Sequence, residues 1–199
     1  LSELQADFAE IQVLVADEDD RTMLNKTLEG TLDIRFFCLP EYPKELCYQL
    51  IRMEPILLVL PPNHYLGREE AKGNYVNPPF FTPDDLRRLQ FESFVSLHPS
   101  KGISMYANDI FHHCNFTPNI RYTFRNVETA FRMAAYGNGY TFIPQNAARF
   151  SFFQDPPFFF QISLDAREIY CRSHVVSYRK GRRLGIVENA LISCIRKYA

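Results

Sequence analysis

The sequence predicts an α/β fold, and three observations lead there. Segments with the two-residue period of a strand alternate with segments of helical period along nearly the whole chain. The run from Ile56 to Leu60 is apolar enough to be a strand buried on both faces. A chain of 199 residues, 46% hydrophobic and 23% charged, suits a globular protein with one substantial core or two modest ones. The β/α rhythm favours mixed, mainly parallel sheets flanked by helices.

Ser2 to Ala9 reads as the end of a helix with Leu4 and Phe8 on one face, and Ile11, Val13 and Val15 then alternate as a strand. Asp17-Glu18-Asp19-Asp20 caps and charges the start of a helix carrying Met23, Leu24, Thr27 and Leu28. Acidic groups are favoured there because the first amides of a helix are unpaired and its dipole is positive. Gly30 stops that helix, where a left-handed residue is needed. Leu32, Ile34 and Phe36 start another alternating strand, and Glu45 to Met53 and Pro55 to Leu60 give two more. Pro61-Pro62-Asn63 ends the last of these. Residues 63–82, with Gly67, Gly73, Asn74, Asn77, Pro78 and Pro79, read as an exposed, mobile loop. At about twenty residues it exceeds the usual connection.

Thr82-Pro83-Asp84-Asp85 supplies the cap and first-turn proline of a short helix to Leu89. Phe94, Val95 and Leu97 form a strand, Pro99-Ser100-Lys101-Gly102 a turn, and Ile103, Tyr106, Ile110, Phe111 and Cys114 a helical face. Ile120, Tyr122 and Phe124 alternate as a strand. Val127, Ala130, Phe131 and Ala134 give the next helix, ended by Gly137-Asn138-Gly139. Tyr140 to Ile143 is a strand stopped by Pro144, and Gln145 to Phe150 a helical turn. Phe158 to Leu164 and Ile169 to Arg179 are strands. The closing helix carries Val187, Ala190, Leu191, Cys194, Ile195 and Tyr198 on one stripe.

A net charge of -1 argues against a surface that tracks nucleic-acid phosphates. The nearest basic cluster, Arg179, Lys180, Arg182 and Arg183 around Gly181, reads as a solvated turn before a helix. Five scattered cysteines fit neither a disulfide framework nor a structural zinc site, so a reducing cytoplasm is expected. No apolar run is long enough to cross a bilayer, and no secretory signal opens the chain.

No common catalytic, phosphate-binding, zinc or dinucleotide motif is present, so no enzyme activity, catalytic residue, metal or cofactor is expected. His112-His113-Cys114 are adjacent helix residues pointing about 100° apart, which suits packing or surface roles better than one metal. Gly137-Asn138-Gly139 lies between a helix and a strand, the wrong order for cradling an anion. Asp17 to Asp20 fit either a solvated helix start or a site for a cation or ligand amine. The turn Pro99 to Ser104 leads from strand to helix and offers Ser100, Lys101, Ser104 and the amides near Gly102. That combination suits a carboxylate or other anion, and equally a plain connection.

Several segments together resemble the effector-binding domain of LysR-type transcriptional regulators. They are Leu28-Glu29-Gly30-Thr31-Leu32-Asp33-Ile34, then Glu54-Pro55 through Pro61-Pro62-Asn63-His64-Tyr65-Leu66, then Asp84-Asp85-Leu86. Asp109-Ile110-Phe111 with Phe116-Thr117-Pro118 follows. Val127-Glu128-Thr129-Ala130 with Ala135-Tyr136-Gly137-Asn138-Gly139-Tyr140 and Ile143-Pro144 completes the series. Each is weak alone; their order over nearly the whole chain makes the match specific. Tyr65 stands where the family usually has Pro, Asn115 where it has Gly, and the loop before Asp84 is longer than typical. The family's domain opens with a strand and a Ser/Thr-bearing turn, and this chain is read as starting within the helix that follows.

The resemblance implies a two-lobed fold like the type 2 periplasmic binding proteins. Lobe I would take residues 1–92 and 177–199, and lobe II residues 93–176. It implies a small-molecule effector (a carboxylate, an amino acid or another small metabolite) held in the cleft between lobes. The matching positions are Asp19 and Asp20, Phe36 and Phe37, Ser100, Lys101, Gly102, Ile103 and Ser104, Asn126 and Val127, and Ile143 and Pro144. Acidic residues at 19 and 20 make an amine-bearing or zwitterionic effector an expectation beside a carboxylate. The family's peroxide-sensing branch uses two cysteines near the second-lobe turn; only Cys114 lies close, so a disulfide switch is not expected. A homodimer or tetramer is implied, with DNA bound only through an N-terminal winged helix-turn-helix outside this sequence, and no membrane partner. The alternatives are a transport-type solute-binding protein of the same fold and an enzyme on a related scaffold.

Overall fold

The computed structural model describes residues 2–38, 42–149, 152–165 and 168–198. The chain divides into two compact units, Leu1–Met53 with Ser173–Ala199, and Glu54–Arg172. The boundary expected near residue 92 therefore lies inside the second unit. The reason is a single long strand, Leu46–Leu60, which begins in one unit and ends in the core sheet of the other.

In the first unit, helix α1 (Ser2–Asp7) buries Leu4. Residues 11–19 form no strand or helix, and Leu14 and Val15 are among the most exposed apolar residues. The strand expected at Ile11–Val15 is thus absent: period two was present, but no described segment offers it a ladder. Helix α2 (Asp20–Glu29) matches its reading closely. Asp19 caps it, accepting hydrogen bonds from the Arg21 and Thr22 amides, and Gly30 ends it at φ 82° with its amide on the Lys26 and Thr27 carbonyls. Strand β1 (Arg35–Phe37) has the opposite phase to that expected, since Arg35 and Phe37 point inward and Phe36 outward. Burial of Arg35 is supported by Asp20, whose Oδ1 accepts from Nη2 at 2.8 Å.

The two strands expected at 45–60 are one, β2 (Leu46–Leu60), running through Glu54-Pro55. Proline lacks an N–H but tolerates extended backbone, and the ladder resumes at once with the Ile56 amide on the Tyr170 carbonyl. β1 pairs antiparallel with β8 (Cys171–Arg179), which neighbours β2. Helix α7 (Ile186–Tyr198) closes this unit. Ile192 is its one buried residue, while the expected stripe is half-buried and ends on exposed Tyr198. Arg182, in the basic turn before it, bridges Asp33 and Glu188.

The second unit is built on a mixed sheet. Strand β3 (Phe80–Phe81) is parallel to β7 (Phe158–Ile162), which is antiparallel to β2, which is antiparallel to β6 (Thr141–Pro144). A parallel bridge at Phe94–Tyr140 joins β6 to β4 (Ser93–Leu97), and β4 is parallel to β5 (Asn119–Phe124). Among the described residues of this unit, β3, β7, β6, β4 and β5 therefore run one way and β2 runs against them. Helices α3 (Pro83–Arg87), α4 (Gly102–His113), α5 (Val127–Ala135) and α6 (Gln145–Ala148) follow β3, β4, β5 and β6. The last two positions of the turn expected at 145–150 end in Arg149 and Phe150, of which Phe150 lies outside the described residues.

Strand alternation explains why both faces of this sheet are covered. Ile56, Leu58, Leu60 and Phe160 enter one cluster with Phe94, Ile110, Phe111 and Phe142; Leu57, Val59 and Phe159 enter the other with Phe131, Ala134 and Ile143. Each such side chain is worth about 1.5–3 kcal/mol when buried. The loop expected to be exposed and mobile is anchored. It contains a 3-10 turn at Glu69–Ala71, the Gly73 amide donates to the Pro157 carbonyl, and Leu66, Ala71 and Pro78 are buried.

Candidate functional site

The shared direction of β5, β4 and β6 sets the geometry of the candidate site. Leu97 pairs with Phe124, and the bridge at Phe94–Tyr140 brings Ile143 level with Leu97. All three strands therefore deliver their C-terminal ends, and the helix starts that follow, to one edge of the second unit. Open α/β sheets bind ligands outside the carboxyl ends of their strands. Ser100 to Ser104, Asn126-Val127 and Ile143-Pro144 lie at that edge.

What each residue offers differs. The Ser100 amide donates to His98 Nδ1 at 3.2 Å, with the Ser100 hydroxyl 2.9 Å from the same nitrogen. Lys101 precedes α4 without a side-chain cap on the helix, so the unpaired first amides begin at Gly102. The Ser104 amide donates back to the Lys101 carbonyl at 2.9 Å. Asn126 caps α5, its carboxamide oxygen accepting from the Glu128 and Thr129 amides at 2.7 and 3.3 Å. Ile103 and Ile143 are buried, so backbone is what they present to a ligand.

The first-unit positions are occupied by internal partners. Asp19 holds the Thr22 hydroxyl at 2.6 Å besides its two amides, and the Thr22 hydroxyl foremost keeps its carboxyl below the usual range. Asp20 is paired with Arg35. Phe37 is buried with the Arg35 guanidinium 4.2 Å above its ring, whereas Phe36 is half-exposed with its ring 5.5 Å from that of His174. Asp20 thus has a charged partner, while Asp19 is held by neutral donors of its own helix start.

Sequence reasoning missed a second layer at the edge. Gln145, directly after Pro144, donates its carboxamide to the Tyr75 and Val76 carbonyls at 2.9 and 3.0 Å, tethering the long loop. Glu54 accepts from the Asn146 amide and from Arg172. A charged residue entering an apolar run signals a buried partner, and Glu54-Pro55-Ile56 carried that signal.

The other tempting groups have structural surroundings. His113 lies 3.1 Å from the Leu164 carbonyl, and Cys114 is fully buried behind it in α4's apolar face. Among the described residues no group of three His, Cys, Asp or Glu is placed to hold a metal. Burial pushes the Cys114 thiol up to about 11, so almost no thiolate forms at neutral pH. In the folded chain Cys114 should resist alkylation by iodoacetamide at pH 8 and become reactive only on unfolding; rapid labelling, mapped by peptide mass spectrometry, would contradict that burial. No described helix is long and apolar enough to cross a membrane.

The comparisons agree with this architecture. Among solved structures, the chain is similar to the C-terminal domain of a probable LysR family transcriptional regulator from Rhodococcus sp. RHA1. That match has 19% identity over 98% of this chain and 88% of the other, with a TM-score of 0.73. The Synechocystis PCC6803 CcmR regulatory domain in complex with 2-PG matches at 14% identity, 99% and 88% coverage and a TM-score of 0.76. The BenM effector binding domain with its effector benzoate matches at 17% identity, 99% and 82% coverage and a TM-score of 0.75. At such identities these likenesses establish the fold alone. No curated protein sequence matches the chain. The family model of the LysR substrate binding domain matches residues 1–199, and the chain belongs to that family.

Proposed function

We propose that the chain is the ligand-sensing part of a LysR-type transcriptional regulator, and that its effector is a small carboxylate seated at the β5–β4–β6 edge. One observation carries the reading: three parallel strands deliver Ser100–Ser104, Asn126-Val127 and Ile143-Pro144 to a single edge. The hydroxyls and Lys101 there suit an anion, and α4's first amides add positive partial charge. An amine effector is less well served, because Asp19 and Asp20 are already engaged within their own unit. The domain senses without chemistry of its own, in the cytoplasm, within a dimer or tetramer whose DNA contacts come from another segment. BenM's effector is benzoate, which makes that acid a natural first probe.

Calorimetric titration of the chain with a panel of small carboxylic acids, benzoate first, tests the proposal against the matching neutral amides. At least one acid should bind while its amide does not. Lys101→Ala and Ser104→Ala should each weaken that acid roughly tenfold, the loss of one charge-assisted or buried hydrogen bond. Equal binding of acid and amide, or no binding across the panel, would sink it.

A further inference from the structure

The sheet of the second unit has another end. Because β2 runs against its neighbours, its last residues lie beside the first residues of β6 and β7, with Val59 opposite Thr141 and Leu60 opposite Phe158. The edge that carries Ser100–Ser104 is at the far end of the sheet. Past Leu60 opens a pocket of about 940 Å³, lined by residues 61–64, 135–137 and 152–155, all within this unit. Its size suits a small molecule. Its walls are aromatic: Tyr136 and Phe152 are 70% and 94% exposed. The ring of Phe153 stands 6.1 Å from that of Tyr136 at 76° to it, and is backed by the buried Phe131 ring at 5.3 Å. Exposed rings gathered in one place mark a binding surface.

The polar groups offered there are acceptors. Ala135 and Tyr136 end α5, where the last carbonyls of a helix lack intrahelical partners and the dipole is negative. The Gly137 and Asn138 amides turn back onto the Ala134 and Met133 carbonyls, and no described hydrogen bond uses those of Ala135 and Tyr136. Gly137 puts no side chain beside them. His64 adds no positive charge, because its Nδ1 accepts the Leu66 amide and its proton is therefore on Nε2, 2.6 Å from Glu92. Asp155 is paired with Lys72 at 2.8 Å, so that cation is already matched. We propose that this pocket binds a small organic ammonium ion, which donates to the free carbonyls at the end of α5 and lays its body against Tyr136, Phe152 and Phe153. Aromatic faces and helix C-termini both favour positive charge, and a carboxylate would be repelled by each. The edge at Ser100–Ser104 has the reverse polarity, with Lys101 and helix amides, so the two ends of one sheet sort ligands by the sign of their charge. This second site does not rest on the effector-edge reading.

Ligand-observed NMR titration of the chain tests the site with 2-phenylethylammonium chloride and its neutral counterpart, 2-phenylethanol. The ammonium should bind roughly fivefold or more tightly than the alcohol, and the preference should shrink as salt is raised. Tyr136→Ala should weaken the ammonium about two- to fivefold, while Tyr136→Phe, which keeps the ring face, should hold it within about twofold. Circular dichroism checks that each variant is folded; if Tyr136→Ala is not, Phe152→Ala replaces it. Lys101→Ala, at the other end of the sheet, should change nothing. Equal affinity for ammonium and alcohol, or no binding of either, would overturn the proposal. So would an ammonium that loss of the ring leaves untouched or that Lys101→Ala weakens. A silent acid panel with the ammonium still bound removes the effector assignment alone; an acid that binds while the ammonium does not removes this pocket's ligand alone.

Discussion

Gly139→Ala should unfold the second unit or cost roughly 4 kcal/mol or more, the range reserved for severe clashes. Gly139 sits at φ 129°, and a Cβ there would lie 2.1 Å from the Ser93 carbonyl oxygen and 2.9 Å from its carbon. That oxygen has no freedom to retreat, because it accepts the Tyr140 amide at 2.9 Å, and the Tyr140 carbonyl in turn accepts from Val95. These two bonds join β4 to β6 at the starts of the two strands and thereby set the register that brings Ile143 level with Leu97. Gly137 is the control: its φ of 88° is also left-handed, but a Cβ would meet nothing within 4 Å. Gly137→Ala should cost only about 1–2 kcal/mol, the left-handed penalty. Urea denaturation of both variants checks the contrast; similar losses would show that the close approach at Ser93 is not what requires glycine.

Arg172→Met should lower stability by about 3–5 kcal/mol, since it removes the guanidinium that pairs with the buried Glu54 carboxylate. The Asn146 amide remains as a donor, but a neutral donor supplies less than a guanidinium with two N–H groups directed at one oxygen. E54L/R172M should recover most of that loss, because replacing both partners removes the desolvation cost along with the attraction. Thermal and urea melts of the single and double variants decide the matter. An Arg172→Met loss below about 1 kcal/mol, the level of an exposed surface pair, would mean that solvent reaches Glu54 and weakens the pair.

Elements with two independent local signals were legible in the sequence. Helix α4 had a turn before it and a face of Ile103, Tyr106, Ile110, Phe111 and Cys114, all of them buried. Helix α3 had Thr82 and Asp85, which form a reciprocal capping box. Elements that depend on a distant partner were not legible. Ile11–Val15 alternate as well as β5 does, yet a ladder requires a neighbour that no window of sequence contains. The inward phase of β1 depends on Asp20, fifteen residues earlier, meeting Arg35. The same division runs through the candidate site. Turn residues such as Ser100–Ser104 and Asn126 announce strand ends and helix starts, whereas Glu54, Asn146 and Arg172 meet only through tertiary folding.

The side-by-side order of β5, β4 and β6 has a metric consequence. Adjacent strands stand about 4.8 Å apart, so the three tips span roughly 10 Å. The edge is therefore a ruler graduated in strand spacings, with Asn126 at one end, the Ser100 turn at the middle and Pro144 at the other end. A molecule the length of one aromatic acid reaches two graduations, and one twice as long reaches all three. On the proposed carboxylate reading, ligand preference would be open to change by one tip residue at a time, with the strands that set the scale left untouched.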